Sequence, residues 1–155
     1  MKPFKIYLDT SVVLMYDDHS QRGIITKEFF KEVSKNNHQL VISEIVNTEI
    51  TDNKAKRESN LSFLSTINYK LLPYSDESYY LAWTYVFGGV LTHNHLDDLL
   101  HIAYATIFEC DVIVSWNRKH IAKPIKIQKI NVCNLKNNYK MIAIYTPEEF
   151  LIYFK

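Results

Sequence analysis

The chain has 155 residues, is 47% hydrophobic and 23% charged, and carries a formal net charge of +1. This size predicts one domain over residues 1–155 with a core that needs neither disulfides nor a structural metal, and the composition excludes disordered, fibrous and collagen-like chains. No apolar run reaches the roughly 18 residues of a membrane span, the N-terminal segment lacks the apolar stretch of a secretory signal, and Cys110 and Cys133 stand apart; a reducing, cytoplasmic setting without a cysteine-based zinc site is therefore expected.

Phe4–Leu8 reads as a strand. Asp9, Thr10 and Ser11 then offer N-cap chemistry for a short helix beginning near Val12. From Ile24 to Lys35, Ile25, Phe29 and Val33 recur every four residues opposite Lys27, Lys31 and Lys35, the pattern of an amphipathic helix. Gln39–Ile42 is a short apolar strand, and Ser43 opens a helix whose inner side carries Ile45, Val46, Glu49 and Ile50. A further helix is expected over Ala55–Ile67 with Leu61, Leu64 and Ile67 inward, then a short strand at Leu71–Leu72. Ser75 and Ser78 flank the start of a helix through Val86 that Gly88 and Gly89 end. Leu96–Glu109 is a strong helix, Val112–Ser115 a continuously apolar strand and Met141–Tyr145 another. Thr146-Pro147-Glu148-Glu149 combines a capping box with proline at the first helical position, opening a last helix to about Tyr153. Strands alternating with helices predict a three-layer α/β/α domain around a mainly parallel sheet.

Charge is uneven along this frame. Residues 1–111 carry 10 Lys/Arg and 15 Asp/Glu, whereas residues 112–147 carry seven basic residues and no acid. A solvated lysine face explains that pattern, and so does a polyanion-facing surface.

In open α/β sheets functional groups gather beyond the carboxyl ends of the strands. Asp9 follows the first strand, Glu49 lies in the helix after the second, Asp98 sits in the first turn of the helix Leu96–Glu109, and Ser115-Trp116-Asn117 follows Val112–Val114. Each has a plainer reading: Asp9 as an N-cap, Glu49 as a solvated helix residue, Asp98 as an answer to the helix dipole, Asn117 as a turn residue. Taken together they are a set of oxygen donors at one sheet end. Crowded carboxylates repel, and a hard divalent cation, Mg²⁺ or Mn²⁺, relieves that repulsion.

Four blocks in order, IYLDTSVV at 6–13, SEIVNTEI at 43–50, LDDLLHIAYA at 96–105 and VIVSWNRKHI at 112–121, resemble the PIN-domain family of metal-dependent ribonucleases, which includes VapC-like toxins of toxin–antitoxin pairs. IAIYTPEEFL at 142–151 is similar to the tail of a bacterial subgroup that also shows the SWN…KH pattern. The resemblance places the family's acids on Asp9, Glu49 and Asp98, with Asn117 where a fourth acid is common; Glu44 matches a variable position. It implies an endoribonuclease hydrolysing phosphodiester bonds of RNA, with Mg²⁺ or Mn²⁺ held by Asp9, Glu49 and Asp98 and the shell completed by Asn117. One negative charge fewer implies one firm ion site and a second that depends on substrate. Arg118, Lys119 and Lys123 are then candidate phosphate contacts, and Thr10, Ser115, His101 and His120 secondary candidates, the histidines expected to be structural or phosphate-facing. His93 and His95 form an H-x-H pair without a further zinc ligand nearby in sequence. The implied partners are RNA, a cognate antitoxin and a second copy in a homodimer. A non-catalytic RNA- or protein-binding module on the same fold is the alternative, and a metal-dependent phosphatase-like enzyme would use the same acids.

Overall fold

Strands that are apolar without interruption call for cover on both faces of a sheet. In the computed structural model, which describes residues 2–155, β1 (Lys5–Leu8), β2 (Gln39–Ile42), β3 (Tyr69–Leu71), β4 (Val112–Val114) and β5 (Ala143–Tyr145) form a five-stranded sheet in the order β3-β2-β1-β4-β5. Every pairing is parallel; Tyr7 stands beside Val41 of β2 and Ile113 of β4. The connecting helices are α1 (Thr10–Leu14), α2 (Gln21–Lys35), α3 (Glu44–Asp52), α4 (Arg57–Thr66), α5 (Asp76–Phe87), α6 (Leu96–Ile107), α7 (Pro124–Lys136) and α8 (Pro147–Phe154). The expected three-layer fold is observed, with a wholly parallel sheet.

Alternation along the strands divides the core in two. Tyr7, Val41, Ile113 and Ile144 face α5, α6 and α7 and pack with Leu81, Tyr85, Leu99, Ile102 and Ile130. Ile6, Leu8, Leu40, Ile42, Val112 and Val114 face the other way, onto Val12, Phe29, Val33, Val46, Phe63 and Phe150. Each such buried side chain stabilises the fold by roughly 1.5–3 kcal/mol relative to exposure.

Three local expectations change. Leu61 is 43% exposed, while Phe63 and Leu64 are buried in α4; the Phe63 ring stacks on Tyr16 at 3.6 Å between centroids, and that aromatic contact sets which side of the helix turns inward. Asp9 and Ser43 stand at helix N-termini, yet neither side chain caps. Both are drawn into other hydrogen bonds, whereas Ser20, Ser75 and Thr146 do cap, the last in the expected capping box. Finally, α7 lies inside the basic stretch, where no helix was expected. Its inward positions include Asn131 and Asn134, which break the apolar stripe.

From β1 the chain builds outward to β2 and β3 on one side and to β4 and β5 on the other. The β1–β4 boundary is thus a topological switch point, with a crevice at the carboxyl ends of those strands.

Candidate metal centre

Asp9 is the first residue after β1 and Ser115 the first after β4. Ladder-like bonds continue past both strand ends: the Asp9 N–H donates to the Val114 carbonyl at 3.1 Å and the Ser115 N–H to the Tyr145 carbonyl at 3.0 Å. Ser115 Oγ is thereby set to donate to Asp9 Oδ2 at 2.7 Å, and Ser11 Oγ, from α1, reaches the same oxygen at 2.5 Å. Asp9 is only 4% exposed, so these donors replace the water its carboxylate has lost.

Glu49 points from α3 toward the same end. Its Oε1 accepts from Thr10 Oγ1 at 3.1 Å and lies 2.5 Å from His101 Nε2. That nitrogen is also 3.3 Å from Asp9 Oδ1, so one imidazole of α6 joins the two carboxylates. The other ring nitrogen, Nδ1, lies 2.8 Å from the Tyr7 hydroxyl, which is 2.7 Å from Ser43 Oγ. The buried pair Ser43–Tyr7 therefore fixes the ring at Nδ1 while the carboxylates of Asp9 and Glu49 hold it at Nε2. Burial opposes a charge on His101, but the carboxylates of Asp9, Glu49 and Asp98 outweigh it and hold the imidazole above its usual pKa. Tyr7, its hydroxyl buried, stays protonated.

Asp98 occupies the first turn of α6, where the helix dipole favours an anion. Its Oδ1 accepts from Asn117 Nδ2 at 3.2 Å and its Oδ2 from His120 Nδ1 at 2.9 Å. Burial, followed by the charge of Asp9, raises its pKa, with His101 and His120 pulling the other way. Asn117 uses both ends of its amide: Oδ1 accepts the His120 backbone N–H at 3.0 Å while Nδ2 reaches Asp98. Here the amide braces Asp98 and the turn carrying His120, with its oxygen already engaged.

The four sequence candidates Asp9, Glu49, Asp98 and Asn117 thus reach the same end of the sheet from four segments, in two subclusters. Asp9 and Glu49 meet on His101, and Asp98 meets Asn117 and His120. Thr10 and Ser115 hydrogen-bond the acids directly. Arg118, Lys119 and Lys123 are exposed just after the site, Arg118 paired with Glu148 at 3.1 Å. Glu44 accepts instead from the Tyr104 hydroxyl at 2.7 Å, and Asp97 is exposed one step around the helix.

Two features escape a linear reading. His101 reads as structural in sequence; its spacing of three from Asp98 was the only hint that it would join Asp9 to Glu49. His95 gains its partners only in three dimensions, where its ring lies 4.0 Å from that of His120 between centroids and its Nδ1 3.9 Å from Asp98 Oδ2. Asp9, Glu49 and Asp98 offer the oxygen donors that a hard divalent cation takes, with His101 set between Asp9 and Glu49; among the described residues, the metal-donor side chains whose ligand atoms all lie within 4.8 Å of one another are His95, Asp98 and His120.

No known family profile matches the chain. No curated protein matches it either. Among solved structures it is similar to VapBC2 from Rickettsia felis bound to a DNA fragment from their promoter, with a TM-score of 0.61 and 18% sequence identity over 92% of this chain and 98% of that one. The likeness identifies the architecture as a PIN-like, VapC-like fold.

Proposed function

We propose that the protein is a metal-dependent endoribonuclease hydrolysing phosphodiester bonds in RNA, and that it acts as the toxin of a toxin–antitoxin pair. The observation that carries this reading is the gathering of Asp9, Glu49 and Asp98 at the switch point of a PIN-like sheet. Asp9, Glu49 and Asp98 would hold Mg²⁺ or Mn²⁺, which when bound activates water toward phosphorus and stabilises the departing 3′-oxygen. The chain's own groups prepare this. Ser11, Ser115 and Thr10 aim the Asp9 and Glu49 carboxylates, and His101 tempers their repulsion. Asn117 holds Asp98 and His120 in register. Arg118, Lys119 and Lys123, exposed beside the crevice, attract the phosphate backbone.

The toxin assignment draws on the similar structure being a VapBC2 complex. An antitoxin, a second copy of the chain and RNA are accordingly the proposed partners, in the cytoplasm. Incubation of the protein with a single-stranded RNA and Mn²⁺ tests the activity. Products bearing 5′-phosphate and 3′-hydroxyl ends, abolished by EDTA, are expected. RNA bound without cleavage would instead favour a non-catalytic binding module, and cyclic phosphate ends that form in EDTA would contradict metal-assisted attack by water.

A further inference from the structure

His95, Asp98 and His120 bring two imidazoles and a carboxylate together at the outer edge of the crevice. A donor atom from each lies within 4.8 Å of the other two, the tightest such grouping among the described residues. We propose that these three side chains form a binding site for a zinc-type divalent ion, different in donor chemistry from the all-carboxylate set and sharing Asp98 with it.

Three observations carry the proposal. The first is ligand type. Two imidazoles and one carboxylate suit Zn²⁺ or Co²⁺, whereas Mg²⁺ prefers oxygen alone. The second is preorganisation. Asp98 and His120 are already held at 2.9 Å, and Asn117 clamps both, through its Nδ2 to Asp98 and its Oδ1 to the His120 N–H. A hydrogen-bonded second layer of this kind orients ligands around metals. The third is access. The His95 side chain is 38% exposed and its Nδ1 stands 3.9 Å from Asp98 Oδ2. Ligand atoms around one tetrahedral zinc lie roughly 3.3 Å apart, given Zn–N bonds of about 2.0–2.1 Å. A small swing of the exposed His95 ring therefore closes the triangle, and the solvent side leaves a fourth position for water.

Sharing Asp98 gives occupancy a consequence that rests on the nuclease reading: a zinc-type ion here withdraws a carboxylate from the Mg²⁺ or Mn²⁺ site and lowers cleavage. The binding claim itself does not depend on RNA being cleaved.

Binding is tested with Co²⁺ as an absorbing probe and Zn²⁺ by calorimetry, on the full chain. The variants are His95→Ala, His120→Ala and Glu49→Gln, each checked for folding by thermal melting. The wild type should bind with visible Co²⁺ bands that a large excess of Mg²⁺ does not erase. His95→Ala, which leaves the Asp98–His120 pair intact, should weaken Zn²⁺ binding by at least about tenfold, equivalent to about 1.4 kcal/mol. His120→Ala should do the same, and Glu49→Gln should bind as the wild type does. Wild-type affinity in His95→Ala, loss of binding in Glu49→Gln equal to that in the histidine variants, or no Co²⁺ bands in the wild type would overturn the proposal. If RNA cleavage fails while these bindings hold, the nuclease reading falls and the site stands.

Discussion

His101 is the residue on which the candidate site balances. It is 1% exposed, with Nε2 set between Asp9 and Glu49 and Nδ1 against Tyr7. Replacing it by alanine leaves two carboxylates without their common partner and the buried Tyr7 hydroxyl with Ser43 alone. Removing one member of a buried pair costs about 3–5 kcal/mol, so His101→Ala should melt well below the wild type. Added Mn²⁺ should recover more melting temperature in the variant than in the wild type, because it answers the exposed repulsion; equal shifts would show that His101 bears no electrostatic load. Asn117 gives a second test. Asn117→Asp sets a carboxylate 3.2 Å from Asp98 where an amide N–H now donates. The variant should lose about 1 kcal/mol of stability without metal, as a part-buried hydrogen bond is lost, and bind Mn²⁺ more tightly in calorimetric titration. Unchanged affinity would leave Asn117 a turn residue.

At the scale of elements, Gly23 shows how packing reverses an intrinsic preference. Alanine in a helix ordinarily exceeds glycine in stability by roughly 0.5–1 kcal/mol. In α2, however, a Cβ on Gly23 would lie 1.8 Å from the Asp18 carbonyl oxygen. Gly23→Ala should therefore destabilise, read as a lower denaturation midpoint with the slope unchanged; a raised midpoint would mean that the 17–20 turn moves freely. The same level explains what was legible in the sequence. The continuous apolar runs, the capping box at Thr146 and the serine before α5 announced the parallel sheet and its helices, because those signals are local. The helix α7 was not legible, since its inward residues include Asn131 and Asn134. Asn131 bonds both the N–H and the carbonyl of Ile142, and Asn134 the Tyr85 hydroxyl, partners distant in sequence. Polar groups paired only after folding look exposed beforehand. That Asp9, Glu49 and Asp98 lie toward one end of the sheet was legible from their places after β1, inside α3 and in the first turn of α6, while the surroundings of His95 and His101 depend on ring positions that no spacing rule supplies.

For the whole molecule, the parallel topology is what brings four distant segments to one crevice. Residues 112–147, basic and free of acids, begin at that crevice and continue through α7. Part of this charge has local work: Lys126 Nζ donates to the Val90 carbonyl at 2.8 Å and Lys140 pairs with Glu109 at 2.7 Å. Arg118 likewise pairs with Glu148 at 3.1 Å, while Lys119 and Lys123 are exposed. On the proposed function, Asp9, Glu49 and Asp98 act together on a divalent ion to cleave RNA. Glu49→Gln is the informative change, since Glu49 takes no part in the His95–Asp98–His120 grouping, its side chain is 38% exposed and glutamine keeps its size. In a Mn²⁺-dependent cleavage assay with melting measured in parallel, the variant should lose roughly 100-fold or more in rate, about 2.7 kcal/mol of barrier, while melting as a folded protein above His101→Ala. Cleavage by Glu49→Gln at the wild-type rate would mean that the Glu49 carboxylate holds no ion used in cleavage.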